Sequence, residues 1–131
     1  MPDASRPESP RRRRFVVLFH AHPSEGNHYD LMIEDGATLA TWRIEQPPDS
    51  LAGDQSIACQ PIDDHRLAYL EYEGPVSGNR GHVTRHDAGT CTMSDRSLSP
   101  IQVHFDGGRL KGRFVMERVE STPDQWRLRL A

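Results

Sequence analysis

The stretch HYDLMIEDGATLATWRI, residues 28–44, decides the fold. Its first seven residues alternate. Tyr29, Leu31 and Ile33 leave one face of an extended chain, while His28, Asp30, Met32 and Glu34 leave the other. Asp35-Gly36 is a turn dipeptide that accepts positive φ, and Ala37 to Ile44 then reads as the returning strand of a hairpin. Working outward, FVVLF (15–19) is a β-rich run before it, and Glu45 to Gly53, with Pro47-Pro48, is a loop after it. Further strands are predicted at SIACQ (56–60), LAYLEYE (67–73), GHVTRHD (81–87), TCTM (90–93), IQVHF (101–105), RLKGRFVMERV (109–119) and WRLRL (126–130). Turn signals recur at the short spacing of all-β proteins and no useful 3.6-residue periodicity interrupts them, so the pattern predicts an all-β barrel or sandwich with short loops or helical turns.

The chain has 131 residues, enough for one domain with a core that needs no disulfide staples. Residues 1–14, MPDASRPESPRRRR, carry three prolines and five arginines and read as a disordered Arg-rich tail, leaving 15–131 as the folded domain. The net charge of −3 is uneven: residues 15–131 hold eleven basic and seventeen acidic side chains, a balance of −6. A body of that sign argues against coating nucleic acid through a broad basic face and leaves room for a site that grips one or two phosphates. Cys59 and Cys91 lie far apart with no CxxC pairing, which reads as two ordinary thiols of a reduced, cytoplasmic protein. No apolar run is long enough for a membrane span, and no secretory leader is apparent.

Seven histidines are many for this length. His22, His28 and Asp30 form H-x5-H-x-D, and His65 with Tyr69 forms H-x3-Y. His28 and Asp30, two apart on a strand, leave the same face, and His22 lies a short loop away. Two imidazoles and a carboxylate make a first shell for a divalent transition metal, suiting manganese or zinc better than magnesium. Spacing alone leaves open the other reading, in which these histidines are exposed or hydrogen-bonded in a core.

The ordered set FVVLFHAH, HYDLMIE, TWRI, DHRLAYLEYEG, HDAGT and LKGRFVMERV resembles the 3′-phosphoesterase domain of bacterial multifunctional ATP-dependent DNA ligases of the ligase D type, with this chain as a stand-alone member. The resemblance runs from about Phe15 to Leu130. It implies a compact β-barrel whose manganese-dependent site removes a 3′-terminal ribonucleoside and the 3′-phosphate left behind. Zinc or cobalt are the alternative metals. On the matching positions it makes His22, His28 and Asp30 the metal ligands, His65 the contact to the scissile phosphate and Tyr69 its support. Partners implied are DNA 3′ ends and a DNA ligase or end-binding protein, with no membrane.

This sequence also departs from the family pattern. Where the family reads HYDFRLE, Met32 stands in place of an arginine, and His20-Ala21-His22 replaces Gln-Lys-His. His20 and Arg43 are therefore candidate substrate contacts, His20 also serving as a possible fourth ligand. The loss of a guanidinium clamp motivates a second reading, a catalytically weak metal-containing module that binds DNA ends or repair proteins. A third class, a barrel metalloenzyme for some small phosphorylated substrate, fits the same residues.

Overall fold

The computed structural model describes residues 11–131. The reading of residues 1–10 as part of a tail lies outside the described residues. Nine antiparallel strands run in chain order: β1 (Arg13–Ala21), β2 (His28–Asp35), β3 (Thr38–Ile44), β4 (Ser56–Arg66), β5 (Gly74–Pro75), β6 (His82–Met93), β7 (Ile101–Gly107), β8 (Lys111–Val119) and β9 (Thr122–Leu130). Eight of them close a barrel in the order β1-β2-β3-β4-β9-β8-β7-β6, with β6 returning to β1, and the two-residue β5 rides on β6. The fold is an all-β barrel; closure gives each main strand a partner on both sides over at least part of its length. Among the described residues no helix is long and apolar enough to cross a membrane.

Alternation fills the interior. Phe15 and Val17 of β1, Leu31 and Ile33 of β2, and Ala40 and Trp42 of β3 meet Phe105, Phe114, Met116 and Leu128 from the far wall. Phe105 packs edge-on against Phe15 and Phe114, with ring centroids 5.0 and 5.4 Å apart. A second apolar cluster lies outside the barrel on the opposite face of the same first strands: Val16, Leu18, Met32, Leu39, Leu70 and Val83. That second layer explains why FVVLF lacks alternation: β1 is buried on both sides, as a continuous apolar run requires.

The outer layer is covered by residues 67–81, and here one expectation fails. LAYLEYE is not a strand; Leu67–Leu70 forms a 3₁₀ turn and the chain continues as an irregular strap to β6. Its leucines and tyrosines pack onto the outer apolar cluster, and the chain after it turns back to β6 through positive φ at Gly78, Asn79 and Gly81. Gly81 is needed for contact as well as conformation, since a Cβ there would sit 1.7 Å from the Ala21 carbonyl oxygen. Two strands expected at 81–87 and 90–93 are one, β6. Ala88-Gly89 marks a close approach, a Cβ at Gly89 falling 2.4 Å from the Asp106 carbonyl oxygen.

The N-terminal boundary also moves. Arg13 and Arg14 begin β1 and pair with Asp35 at 3.0 Å and Glu34 at 2.8 Å, so these two arginines are spent within the barrel. Buried Asp87, which the sequence did not single out, accepts hydrogen bonds from the backbone N–H groups of Gly108, Arg109 and Leu110 at 2.7–3.0 Å and fixes the β7–β8 turn.

Candidate active site

Register assembles the site on the outer face of β1, β2 and β3. His20 lies directly across the ladder from His28, and Asp30 pairs with Leu18 on one side and Arg43 on the other. Since β2 sends Tyr29, Leu31 and Ile33 inward, His28, Asp30 and Met32 must face outward beneath the strap. A groove of about 430 Å³ opens there, lined by His20, His22, Glu25, Asp30, Met32, Arg43, His65, Tyr69 and Arg80 among others. Six of the seven residues singled out from sequence line it, and the seventh, His28, is buried next to Asp30.

The floor of the groove is unusual for a buried surface. His20, His28 and Asp30 each offer a ligand atom, all within 4.8 Å of one another, the grouping of this kind found among the described residues. His20 Nδ1 lies 3.1 Å from Asp30 Oδ2, and His28 Nε2 lies 3.3 Å from Asp30 Oδ1. The second pair lacks the alignment of a hydrogen bond, leaving both buried atoms without a partner. Orphaned buried polar atoms cost about 1–3 kcal/mol each and are rare in folded proteins. Ligand atoms sharing one metal at bonds of about 2.1 Å stand roughly 3.0–3.4 Å apart, so the donor spacing fits a divalent cation. Burial lowers the pKa of His28, which favours the neutral imidazole a metal requires.

His22 stands beside this group, its ring centroid 5.4 Å from that of His20. Its Nδ1 accepts the backbone N–H groups of Ser24 and Glu25 at 3.2 and 3.0 Å, and its Nε2 meets Glu25 Oε2 at 2.9 Å. Arg43 and His22 together hold the Glu25 carboxyl below its ordinary range, Arg43 being the larger influence. The Arg43 Nε is buried without a partner, while its Nη1 reaches Glu25 at 3.4 Å.

On the opposite bank, His65 Nδ1–H donates to the Asp63 carbonyl oxygen at 2.9 Å, which leaves Nε2 free, and its ring meets Tyr69 edge-on at 5.4 Å. Tyr69 in turn packs against Tyr72 at 5.5 Å. Asp64, next in sequence, faces Thr38 and Arg96; their hydrogen bonds, Arg96 foremost, take its carboxyl down to about 2. The ring of His65 is thus oriented by a backbone carbonyl and not by the neighbouring carboxylate. Met32 is fully buried in the outer apolar cluster and brings no polar atom to the groove.

Among the charged groove residues, Glu25, Arg66 and Arg80 escaped the sequence reading. Glu25 carried a faint signal, three residues after His22 in a turn. Arg80 carried none, because it falls in the turn between two predicted strands, where nothing local says that it returns to β1. A larger depression of about 710 Å³, lined by Ser56, Glu117, Arg118, Arg127 and Arg129, has no histidine, and its Arg127 and Arg129 are already bonded to Ser56 and Glu117. The remaining histidines lie apart: His86 pairs with Asp49 at 2.7 Å, and His82 and His104 are exposed.

The family model for the DNA ligase D 3′-phosphoesterase domain matches residues 19–118, a span that contains every groove residue named above. The multifunctional non-homologous end joining protein LigD of Pseudomonas aeruginosa is 29% identical over 115 residues, covering 80% of this chain and 14% of that protein. The chain therefore spans about a seventh of that relative's length. On the matched span and the barrel with its histidine–aspartate groove, the chain belongs to the DNA ligase D 3′-phosphoesterase domain family.

Proposed function

We propose that the chain is a metal-dependent phosphoesterase that trims DNA 3′ ends, removing a 3′-phosphate and a 3′-terminal ribonucleoside. The observation that carries this reading is the convergence of His22, Asp30, Arg43, His65 and Tyr69 on one groove above two orphaned donor atoms, with family membership naming the ester. His28 and Asp30 hold the metal at the floor. His22 would join them once its turn rearranges. With Nδ1 accepting from Ser24 and Glu25 the ring proton sits on Nε2, so ligation through Nε2 requires the proton to move to Nδ1 and the contacts to Ser24 and Glu25 to be given up. Manganese suits this donor set, with zinc and cobalt as alternatives. A bound divalent metal neutralises phosphate charge and lowers the pKa of a bound water.

The remaining residues act on the phosphate. The Arg43 guanidinium, tied on one side only to Glu25, donates to a non-bridging oxygen. His65, its Nδ1 committed to Asp63, presents Nε2 to the groove and, when protonated, stabilises developing charge or gives its proton to the leaving oxygen. Tyr69 braces the His65 ring and borders the phosphate position. The folded body's negative charge makes the contact local, so DNA is held by its end, and salt dependence is shallow. A DNA ligase or end-binding protein is the partner that would use the trimmed 3′-OH.

The test is a primer–template with a 3′-phosphate or a 3′-ribonucleotide, incubated with the protein and manganese, cobalt or zinc. Conversion to a 3′-OH end is expected, lost in His65→Ala. Unchanged ends at excess enzyme with every metal would defeat the proposal. Met32, buried where it offers no hydrogen bond, favours a second reading in one respect: a module that binds metal and DNA ends but turns over slowly. Metal and end binding without conversion would select it.

A further inference from the structure

We infer that His20 is a metal ligand through Nδ1, and that its other ring nitrogen ties the metal centre to the strap that covers the groove. This rests on the proposed metal site and adds a third imidazole to it.

Hydrogen bonding fixes the tautomer. His20 Nε2 lies 2.7 Å from the carbonyl oxygen of Arg80, which can only accept, so Nε2 carries the proton. In a neutral ring Nδ1 is then bare. It lies 3.1 Å from Asp30 Oδ2, a contact that either a second ring proton or a shared cation makes favourable. The adjacent His28 Nε2 and Asp30 Oδ1, 3.3 Å apart, have no hydrogen-bond partner at all. One cation among these atoms would satisfy the orphaned pair and take His20 Nδ1 as a further ligand. A ligating imidazole whose far N–H is held by a backbone carbonyl is the arrangement that fixes ring orientation at metal sites.

Placement supports the role. His20 is within β1 and opposite His28 in the ladder, so both rings are held by the sheet, with centroids 4.6 Å apart. His22, by contrast, follows the end of β1 and is held by its own turn. The carbonyl that orients His20 is itself fixed. Val76 N–H donates to the Gly81 carbonyl at 2.8 Å, Arg85 N–H to Glu73 at 2.7 Å, and the Arg85 guanidinium to the Leu70 carbonyl at 3.1 Å. Arg80 also lines the groove, its guanidinium folded onto Ser77. Metal loading therefore stiffens the strap through a single hydrogen bond.

A third imidazole beside one carboxylate has a chemical consequence. Nitrogen donors favour cobalt, nickel and zinc over manganese more strongly than oxygen donors do. His20 thus tunes which ion the site prefers, without any contact to DNA.

The experiment is calorimetric titration of the full chain with manganese and with cobalt, in wild type, His20→Ala and Asp30→Asn, with the melting temperature of each metal-free protein as control. His20→Ala is expected to weaken cobalt binding by about tenfold or more, and manganese binding by less. In wild type, zinc should move the ¹⁵N resonance of His20 Nδ1 to a metal-bound position while Nε2 stays protonated, and should slow amide exchange across residues 76–82. Equal cobalt affinity in wild type and His20→Ala, with binding lost in Asp30→Asn, would overturn the inference and leave the proposed function standing. A His20 ring protonated on both nitrogens in the zinc-loaded protein would also overturn it, and this arm needs no variant to fold. Absence of any metal binding by the wild type would instead defeat the metal site itself.

Discussion

The two faces of the β1–β2–β3 sheet make an instructive pair. Inward, Phe15, Val17, Leu31, Ile33, Ala40 and Trp42 fill the barrel, the Trp42 indole N–H being the one polar side-chain group among them. Outward, one strand-width away, Val16, Leu18, Met32 and Leu39 build a second apolar layer that gives way to His20, His28 and Asp30, all buried. The inner face gains stability wherever it is packed. The outer face holds buried polar atoms that oppose folding in the metal-free protein, and it keeps them aligned because apolar neighbours and the strap hold the backbone around them. Stability and chemistry are thus assigned to opposite parities of the same strands.

Substitutions on the two faces should therefore behave differently. The largest effect belongs inside: Phe105→Ala removes a ring that bridges Phe15 and Phe114, and chemical denaturation should show a loss of about 3–5 kcal/mol. A loss no larger than that of a surface change would break the distinction. Met32→Arg, on the outer face, should cost roughly 1–3 kcal/mol by placing a charge among Val16, Leu18 and Leu39, yet raise the rate of 3′-end conversion by bringing a guanidinium to the groove. A variant that is less stable and no faster would show that the groove floor cannot use a charge there.

Smaller still is the ion pair at the margin of the two faces. Arg96 holds the Asp64 carboxyl near 2, below its ordinary value, so the folded state binds this proton more weakly than the unfolded chain. The resulting stability is complete above the ordinary carboxylate range and disappears as pH falls toward 2. Arg96→Ala should therefore lower stability at neutral pH by less than about 1 kcal/mol, both groups being partly solvated, and shift acid unfolding to higher pH. Superimposable acid-unfolding curves for the two proteins would remove Arg96 from the account. Least of all should metal addition disturb the interior thiols. Burial pushes Cys59 and Cys91 up to about 12, so a thiol reagent should label neither until the barrel unfolds, with or without manganese.

Much of this was legible beforehand, and for definite reasons. The alternation of residues 28–34 assigned His28, Asp30 and Met32 to one face because strand parity is a covalent fact. The Asp35-Gly36 turn set the hairpin, and Arg43 fell opposite Asp30 as a consequence. What escaped was long-range. Nothing local distinguishes LAYLEYE as a strap from LAYLEYE as a strand, since long-range packing decides it: the segment lies over the outer apolar cluster, and the chain after it pairs with β6 over two residues. Arg80 was hidden by distance alone: its carbonyl reaches His20 across sixty positions of sequence.

The central claim is that the outer face gives up stability for chemistry, and Asp30→Asn measures both at once. The variant should melt at or above the temperature of the metal-free wild type, because it removes a charge buried beside orphaned nitrogens. In the same preparation, manganese-dependent conversion of a 3′-phosphorylated primer to a 3′-OH end should fall by about 100-fold or more. A variant that melts well below wild type, or one that melts normally and still releases phosphate at the wild-type rate, would contradict it.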